Sequence, residues 1–370
     1  MSARFLTVVL ERAFNMRDGF GREIDYMRIS VIDSCNLNCY YCNPCDNNEH
    51  CHALNILSVK EVLCIVRAAT RLGIKHFRLT GGEPLLHPQL DEMVLQIKKI
   101  PGVSSVSLTT NAVLLAQHAK WLKEAGIDSI NVSLDTIDAS EYERITKKPL
   151  LEEVKHGINA AIECGIRVKI NVVLTPQTDV VALTRYVAKK GTDIRFIEMM
   201  PVGEGHTNGV EPYKKVIGTL SKLYGEPCRI NTEKTKEINS GNDKRKIPDN
   251  GPAEYYIFPE LGIRVGLIQA IHGKFCDTCN RIRVTADGRL MPCLGSSVTM
   301  DLVPDSCEFT DDVEKDFAIV RALRAAIKAK PRCHNFNDNA VTYTKTTETK
   351  TTEIEAAEVN AARNMSRIGG

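Results

Sequence analysis

Cys35, Cys39 and Cys42 follow a strand-like run at residues 26–33 with the spacing C-x3-C-x2-C. Three thiolates on one tight loop can hold three irons of a 4Fe-4S cluster, which leaves the fourth iron without a protein ligand and makes it a place for chemistry. The competing reading is a zinc knuckle, since structural zinc sites close on four ligands and Cys45, Cys51, His50 and His52 lie nearby. A second triad, Cys276-x-x-Cys279 with Cys293, sits in Phe275-Cys276-Asp277-Thr278-Cys279-Asn280-Arg281-Ile282-Arg283. Three thiolates are again the economical cluster reading, while a zinc ribbon would draw its fourth ligand from Cys307, Cys333 or His334. Arg281 and Arg283 alternate, so in an extended segment they project to one side as a guanidinium fork suited to phosphate oxygens.

The elements that must carry these groups alternate strand and helix patterns. Strand-like runs occur at residues 26–33, 74–80, 103–109, 127–134, 167–174 and 193–197, with amphipathic stretches at 58–72, 88–99, 112–125, 152–164 and 179–189 between them. Ser58 and Asp179 read as N-caps, and Gly73, Gly126, Gly165 and Gly191 as helix stops. Six such repeats predict an α/β fold, a partial (β/α)6 TIM-type barrel with right-handed crossovers. Residues 263–268 and 281–285 read as strands of a small sheet capping its mouth. The expected organisation is a barrel at 1–210, an α+β extension with the second cysteine triad at 211–340, and a Thr/Lys/Glu-rich tail at 341–370 that is mobile or loosely helical.

In parallel barrels the chemistry gathers at the carboxyl ends of the strands. The first triad follows strand one, Gly81-Gly82-Glu83-Pro84 strand two, Thr109-Thr110-Asn111 strand three and Ser133 with Asp135 strand four; Lys169 and Asn171 lie within strand five, and Glu198-Met199-Met200-Pro201 follows strand six. Each alone reads as a turn or a cap; their shared position after the triad makes them a site. Arg28 and Arg78 fall in strands one and two, where a buried arginine calls for an anionic partner.

Composition fits that frame. The 370 residues are 43% hydrophobic and 25% charged, with a net charge of +2, which implies neither a broad nucleic-acid surface nor a membrane surface. No run approaches the roughly 18 to 20 apolar residues of a membrane span, and residues 5–10 are too short for a signal-peptide core. A cytoplasmic location is expected, where 13 cysteines point to metal or redox chemistry rather than disulfides.

The first cysteine spacing together with Gly-Gly-Glu-Pro resembles the radical S-adenosylmethionine superfamily. Phe-Cys-x-x-Cys-Asn-Arg-x-Arg with its third cysteine, Arg195-Phe196-Ile197-Glu198 before Met-Met-Pro, and the terminal Arg367-Ile368-Gly369-Gly370 are similar to the GTP 3′,8-cyclase family of molybdenum cofactor biosynthesis. That resemblance implies a lyase with two [4Fe-4S] clusters, on Cys35, Cys39 and Cys42 and on Cys276, Cys279 and Cys293, and with S-adenosyl-L-methionine. Its 5′-deoxyadenosyl radical would remove the 3′ hydrogen of GTP, and the ribosyl radical would attack C8 of guanine. The resemblance marks Tyr41, Gly82, Ser133 and Met200 for the cofactor, and Arg28, Arg78, Thr109, Lys169, Arg281, Ile282 and Arg283 for GTP. It sends Gly369 and Gly370 into the active site. It also implies a homodimer, an external electron donor, and hand-over of product to the cyclic pyranopterin monophosphate synthase. A two-cluster radical enzyme acting on a peptide or protein, and a non-catalytic zinc or iron-sulfur scaffold, are the alternatives; the first gives no reason for the arginine fork or the Gly-Gly terminus, and the second predicts no cleavage of S-adenosylmethionine.

Two departures from the family pattern stand out. Residues 43–52 replace a short apolar and acidic segment and leave Cys45 and Cys51 unassigned. Asn111-Ala112 replaces an Asn-Gly turn, a change of little cost if the backbone there keeps a negative φ.

Overall fold

The protein is described by a computed structural model. It describes residues 16–42, 55–202, 209–230, 251–302 except Ser297, 312–334, 336, 344–347 and 350–353. The strands are β1 (Tyr26–Ser30), β2 (His76–Thr80), β3 (Ser105–Thr110), β4 (Ser129–Ser133), β5 (Val168–Val173), β6 (Asp193–Ile197), β7 (Cys228–Ile230), β8 (Glu254–Ile257), β9 (Arg264–Ile268), β10 (Arg281–Val284), β11 (Arg289–Met291) and β12 (Met300–Asp301). They form one sheet in the order β12-β11-β10-β1-β2-β3-β4-β5-β6-β9-β8-β7. Among the described residues its two outer strands do not pair with each other, so the barrel is partial.

The expected six parallel strands are present, with helices Val59–Arg71, Leu90–Lys98, Leu115–Glu124, Leu151–Glu163 and Val180–Lys189 as crossovers. Ser58 caps the first through a box with Glu61, and Asp179 caps the last by accepting from the Ala182 N–H at 2.9 Å. Gly73, Gly126, Gly165 and Gly191 all take the positive φ that ends a helix. A helix at Ala139–Thr146, capped by Asp138, was not expected; it closes the crossover after β4.

Residues 263–268 and 281–285 do not form a separate capping sheet. Residues 264–268 pair parallel with β6, and residues 281–284 pair parallel with β1, so the extension completes both edges of the barrel sheet, making eight parallel strands. The reason is physical: β1 and β6 would otherwise be open edges with unsatisfied backbone groups. The tail is corrected too, because Thr344–Thr347 and Lys350–Glu353 pair as antiparallel strands, which suits their β-branched threonines. Ala112 also differs from expectation, with φ at +66°. Its turn is left-handed, a conformation glycine would take at less cost.

Register then decides which side chains meet. Met27 and Ile29, Phe77 and Leu79, Val106 and Leu108, Ile130 and Val132, Ile170 and Val172, Ile194 and Phe196 all belong to the buried apolar core. Their alternate neighbours share the opposite face: Arg28, Arg78, Ser107 and Thr109, Asn131 and Ser133, Lys169 and Asn171, and Arg195. The sheet thus places an apolar layer on one face and a polar one on the other, inside the barrel. Among the described residues no helix is long and apolar enough to cross a membrane.

Candidate active site

The polar lumen opens at the carboxyl ends of the strands into a cleft of about 330 Å³, lined by both cysteine triads with arginines between them. Cys35, Cys39 and Cys42 lie on the loop after β1. The Cys42 N–H donates to the Cys39 carbonyl at 2.9 Å, and the Leu37 N–H donates to Cys35 Sγ at 3.5 Å. The Asn38 and Tyr40 amides donate to the Thr146 and Ile145 carbonyls, which fixes the loop to the helix Ala139–Thr146. Asn111 Nδ2 donates to Asn36 Oδ1 at 2.7 Å and lies 3.8 Å from Cys35 Sγ.

Gly81 and Gly82 serve that loop directly. A Cβ on Gly81 would collide with the Ile32 carbonyl, and one on Gly82 with the Ser34 carbonyl and, at 2.6 Å, the Asp33 carbonyl. The Gly82 N–H donates to Ile32 O at 2.7 Å. The glycines are therefore required for the close approach of the turn to the cysteine loop, a tighter reason than leaving room for a ligand.

Glu83 is buried and binds the next strand. Its Oε1 accepts from Thr110 Oγ1 (2.7 Å) and the Leu85 N–H (3.0 Å), and its Oε2 from the Asn111 N–H (2.7 Å). Burial pushes its carboxyl up from 4.5 to about 7 against those hydrogen bonds. A carboxyl whose folded pKa is raised costs stability as it ionises, so its contribution falls as pH rises from about 4.5 to about 7. Glu83→Gln is expected to remove that slope from the thermal midpoint measured between pH 4.5 and 7. It is also expected to lower the midpoint at pH 7 by the equivalent of about 1–3 kcal/mol, because the amide NH2 that replaces one carboxylate oxygen is a donor and leaves either the Asn111 N–H or the Leu85 N–H without its acceptor.

Tyr41 donates to Asp135 Oδ2 at 2.6 Å, and Asp135 Oδ1 accepts from the Val173 N–H at 2.8 Å. Burial raises the Asp135 carboxyl to about 6 and holds the Tyr41 hydroxyl well above its ordinary value. The chain Tyr41-Asp135-Val173 ties the cysteine loop to the ends of β4 and β5.

Below the triads the lumen is cationic. Arg283 on β10 stands in register with Arg28 on β1, and Arg28 with Arg78 on β2, so three guanidinium-bearing positions lie abreast across three strands. Burial pushes Arg28 well below its ordinary pKa and Arg283 down to about 10, and neighbouring arginines add to both shifts. Arg78 donates to Thr109 Oγ1 at 3.3 Å and to the Tyr26 hydroxyl. An anion seated here would relieve both the repulsion and the desolvation.

The second triad lies across the mouth. Cys276 and Cys279 flank a short 3-10 turn before β10, and Cys293 follows β11. Burial opposes ionisation of Cys279, but the Arg281 and Lys330 charges overcome it and lower its pKa. In the first triad burial pushes Cys35 up to about 11 and also raises Cys39. Buried thiolates of that kind need cations as partners, so the donor chemistry of both triads fits a thiolate-bound cluster.

Tyr41, Gly82, Ser133, Met200, Arg28, Arg78, Thr109, Arg281 and Arg283 all line the cleft with the six cysteines. Lys169 is buried deeper, one register step below Asn171 on the same face of β5. Ile282 points into the apolar core rather than the lumen. Gly369 and Gly370, with Cys45 and Cys51, lie outside the described residues. Sequence reasoning did not single out Arg22 or Lys330, and it placed Glu198 at the end of strand six without its partners, which lie far off in sequence. Glu198 accepts from the Ile271 N–H at 2.7 Å and pairs with His272. Asp135 had a signal, its place at the end of β4, and Tyr41 was marked for the cofactor, but nothing in the sequence paired the two.

The radical SAM superfamily model matches residues 29–182, and the Molybdenum Cofactor Synthesis C model matches residues 192–336. The chain is 35% identical over 324 residues to the GTP 3′,8-cyclase of Clostridium perfringens (strain SM101 / Type A), covering 87% of this chain and 95% of that one. It is 35% identical to that of Petrotoga mobilis, covering 88% and 96%. Streptococcus suis SuiB bound to S-adenosylmethionine has a similar fold, with a TM-score of 0.53 and 14% identity, covering 81% of this chain and 65% of that one. With both cysteine triads, the Gly-Gly-Glu-Pro turn and the arginine row facing one lumen, and with this extent of identity, the chain belongs to the GTP 3′,8-cyclase family of the radical S-adenosylmethionine superfamily.

Proposed function

We propose that this chain converts GTP to (8S)-3′,8-cyclo-7,8-dihydroguanosine 5′-triphosphate, the first step of molybdenum cofactor biosynthesis. The observation that carries this reading is the row Arg283, Arg28, Arg78, which stands in register beside both cysteine triads and is complementary in charge to a triphosphate. A peptide substrate leaves that row without purpose.

When bound, the first cluster and S-adenosylmethionine supply the one-electron cleavage that yields the 5′-deoxyadenosyl radical. Cys35, Cys39 and Cys42 would hold that cluster, with Asn111 and Tyr41 fixing the loop. Gly82, Ser133 and Met200 border the cofactor. Arg28, Arg78, Thr109 and Lys169, with Arg281, Ile282 and Arg283 on β10, hold the nucleotide; Ile282 contributes through its backbone and its anchorage in the core. The arginines orient the triphosphate. Cys276, Cys279 and Cys293 would hold the second cluster, which would supply an iron for binding the guanine. The same reading assigns Gly369 and Gly370, at the end of the 341–370 tail and outside the described residues, to the active site. Residues 1–210 carry the first cluster and 211–340 the second. The same reading gives a cytoplasmic homodimer, an external electron donor, and the cyclic pyranopterin monophosphate synthase as consumer of the product.

The deciding experiment follows 5′-deoxyadenosine and GTP by chromatography in anaerobically reconstituted protein given S-adenosylmethionine and a strong reductant. About eight irons, with deoxyadenosine formed in step with GTP loss, are expected. Cys276→Ala is expected to keep about four irons and stop cyclisation, and cyclised product from that variant would overturn the assignment of the second triad.

A further inference from the structure

Residues 330–334 are strapped across the second cysteine triad. Lys330 Nζ donates to the carbonyl of Pro292, the residue before Cys293, and to the Arg281 carbonyl, both at 2.8 Å. Arg22, whose Nε is ion-paired with Asp18 at 2.5 Å, donates to the Cys276 carbonyl at 2.7 Å. The same guanidinium donates to the Arg332 carbonyl at 2.9 Å and the Pro331 carbonyl at 2.6 Å. The His334 backbone N–H donates to the Cys276 thiol, and its ring lies 2.7 Å from the Ala270 carbonyl through Nε2. On the other flank, a Cβ on Gly295 would lie 2.6 Å from His334 Cβ, so the loop beyond Cys293 is in contact with the strap.

Cys333 stands within this strap, one residue from the amide that touches Cys276 sulfur. It lines the same cleft as the triad and is exposed. We propose that Cys333 is an exchangeable fourth thiolate of the second cluster, bound when no nucleotide is present and displaced by the substrate. The proposal rests on reading Cys276, Cys279 and Cys293 as a three-thiolate cluster site.

The chemistry of the strap supports exchange rather than permanent ligation. Arg22 and Lys330 clamp the backbone on either side of the triad, which holds the thiol near the sulfurs without the chain having to fold around it. Cys333 is exposed, so its side chain has room to turn away from the triad. On exchange the iron–sulfur bond to Cys333 breaks, the sulfur keeps the electron pair and takes one proton from solvent, and a donor atom of the substrate takes the position. No electron is gained or lost. A fourth thiolate would keep small molecules from the iron until nucleotide arrives.

The test uses the full chain, reconstituted anaerobically with S-adenosylmethionine on the first cluster and 13C-cyanide as the probe of an available iron at the second. The intact protein without GTP is expected to show no 13C coupling by electron-nuclear double resonance at the second cluster. Cys333→Ala is expected to show it, with both proteins holding about eight irons. The variant is also expected to bind GTP about tenfold more tightly, since no thiolate competes for the position. Equal 13C coupling in both proteins, or none in either, overturns the proposal. Loss of the second cluster in the variant alone would make Cys333 an obligatory ligand and overturn exchange. About four irons in the intact protein, with deoxyadenosine still formed, would sink the two-cluster reading itself.

Discussion

Arg283→Ala is expected to weaken GTP binding about a hundredfold, roughly 3 kcal/mol, while S-adenosylmethionine affinity stays within about twofold. Arg283 is buried at the centre of β10, in register with Arg28, so truncating it removes one of three cations abreast across the sheet. A triphosphate that keeps its charge in a low-dielectric lumen loses a partner it cannot replace with water. In the ligand-free protein the sign reverses. Repulsion from Arg281 contributes to the depression of the Arg283 pKa, and Arg283 itself contributes to that of Arg28. Removing the cation relieves that repulsion and offsets the lost packing of its stem, so the ligand-free thermal midpoint is not expected to fall. Calorimetric titration with GTP and a thermal scan of the same anaerobic sample read both effects. Unchanged GTP affinity would remove Arg283 from the triphosphate site.

Gly82→Ala is expected to cost the first cluster. The added methyl meets the carbonyls of Asp33 and Ser34, backbone atoms that cannot rotate away, on the stretch that leads into Cys35. Overpacking against backbone costs about 1–3 kcal/mol or more, and here the strain relaxes by displacing the cysteine loop. Iron content is expected to drop from about eight to about four, with loss of 5′-deoxyadenosine formation. The contrasting variant is Gly218→Ala, on a helix where a Cβ would meet nothing within 4 Å. That change is expected to leave iron content and turnover intact and to raise stability by about 0.5–1 kcal/mol. If Gly82→Ala kept both clusters and full deoxyadenosine formation, the close approach of the turn to the loop would carry no weight.

The sequence by itself determined what is local. Cysteine spacing within a loop, the alternation of strand and helix periods, the N-caps Ser58 and Asp179 and the helix-ending glycines all act over a few residues, and each is found where it was expected. The polar groups at strand ends were legible for the same reason, because strand direction and period two fix which end and which face they occupy. Only the tertiary structure decided the rest. Asn280 and Asp25, hydrogen-bonded at 2.7 Å, are 255 residues apart, and β10 joins β1 because that edge is available, not because either strand carries a periodic signal for the other. The row of Arg283, Arg28 and Arg78 exists only through that pairing. The positive φ of Ala112, the Tyr41-Asp135 bond and the Arg22 clamp on Cys276 likewise depend on which surfaces pack together. Spacing along a chain fixes a residue's neighbours in its own element; the pairing of distant edges fixes its partners in the site.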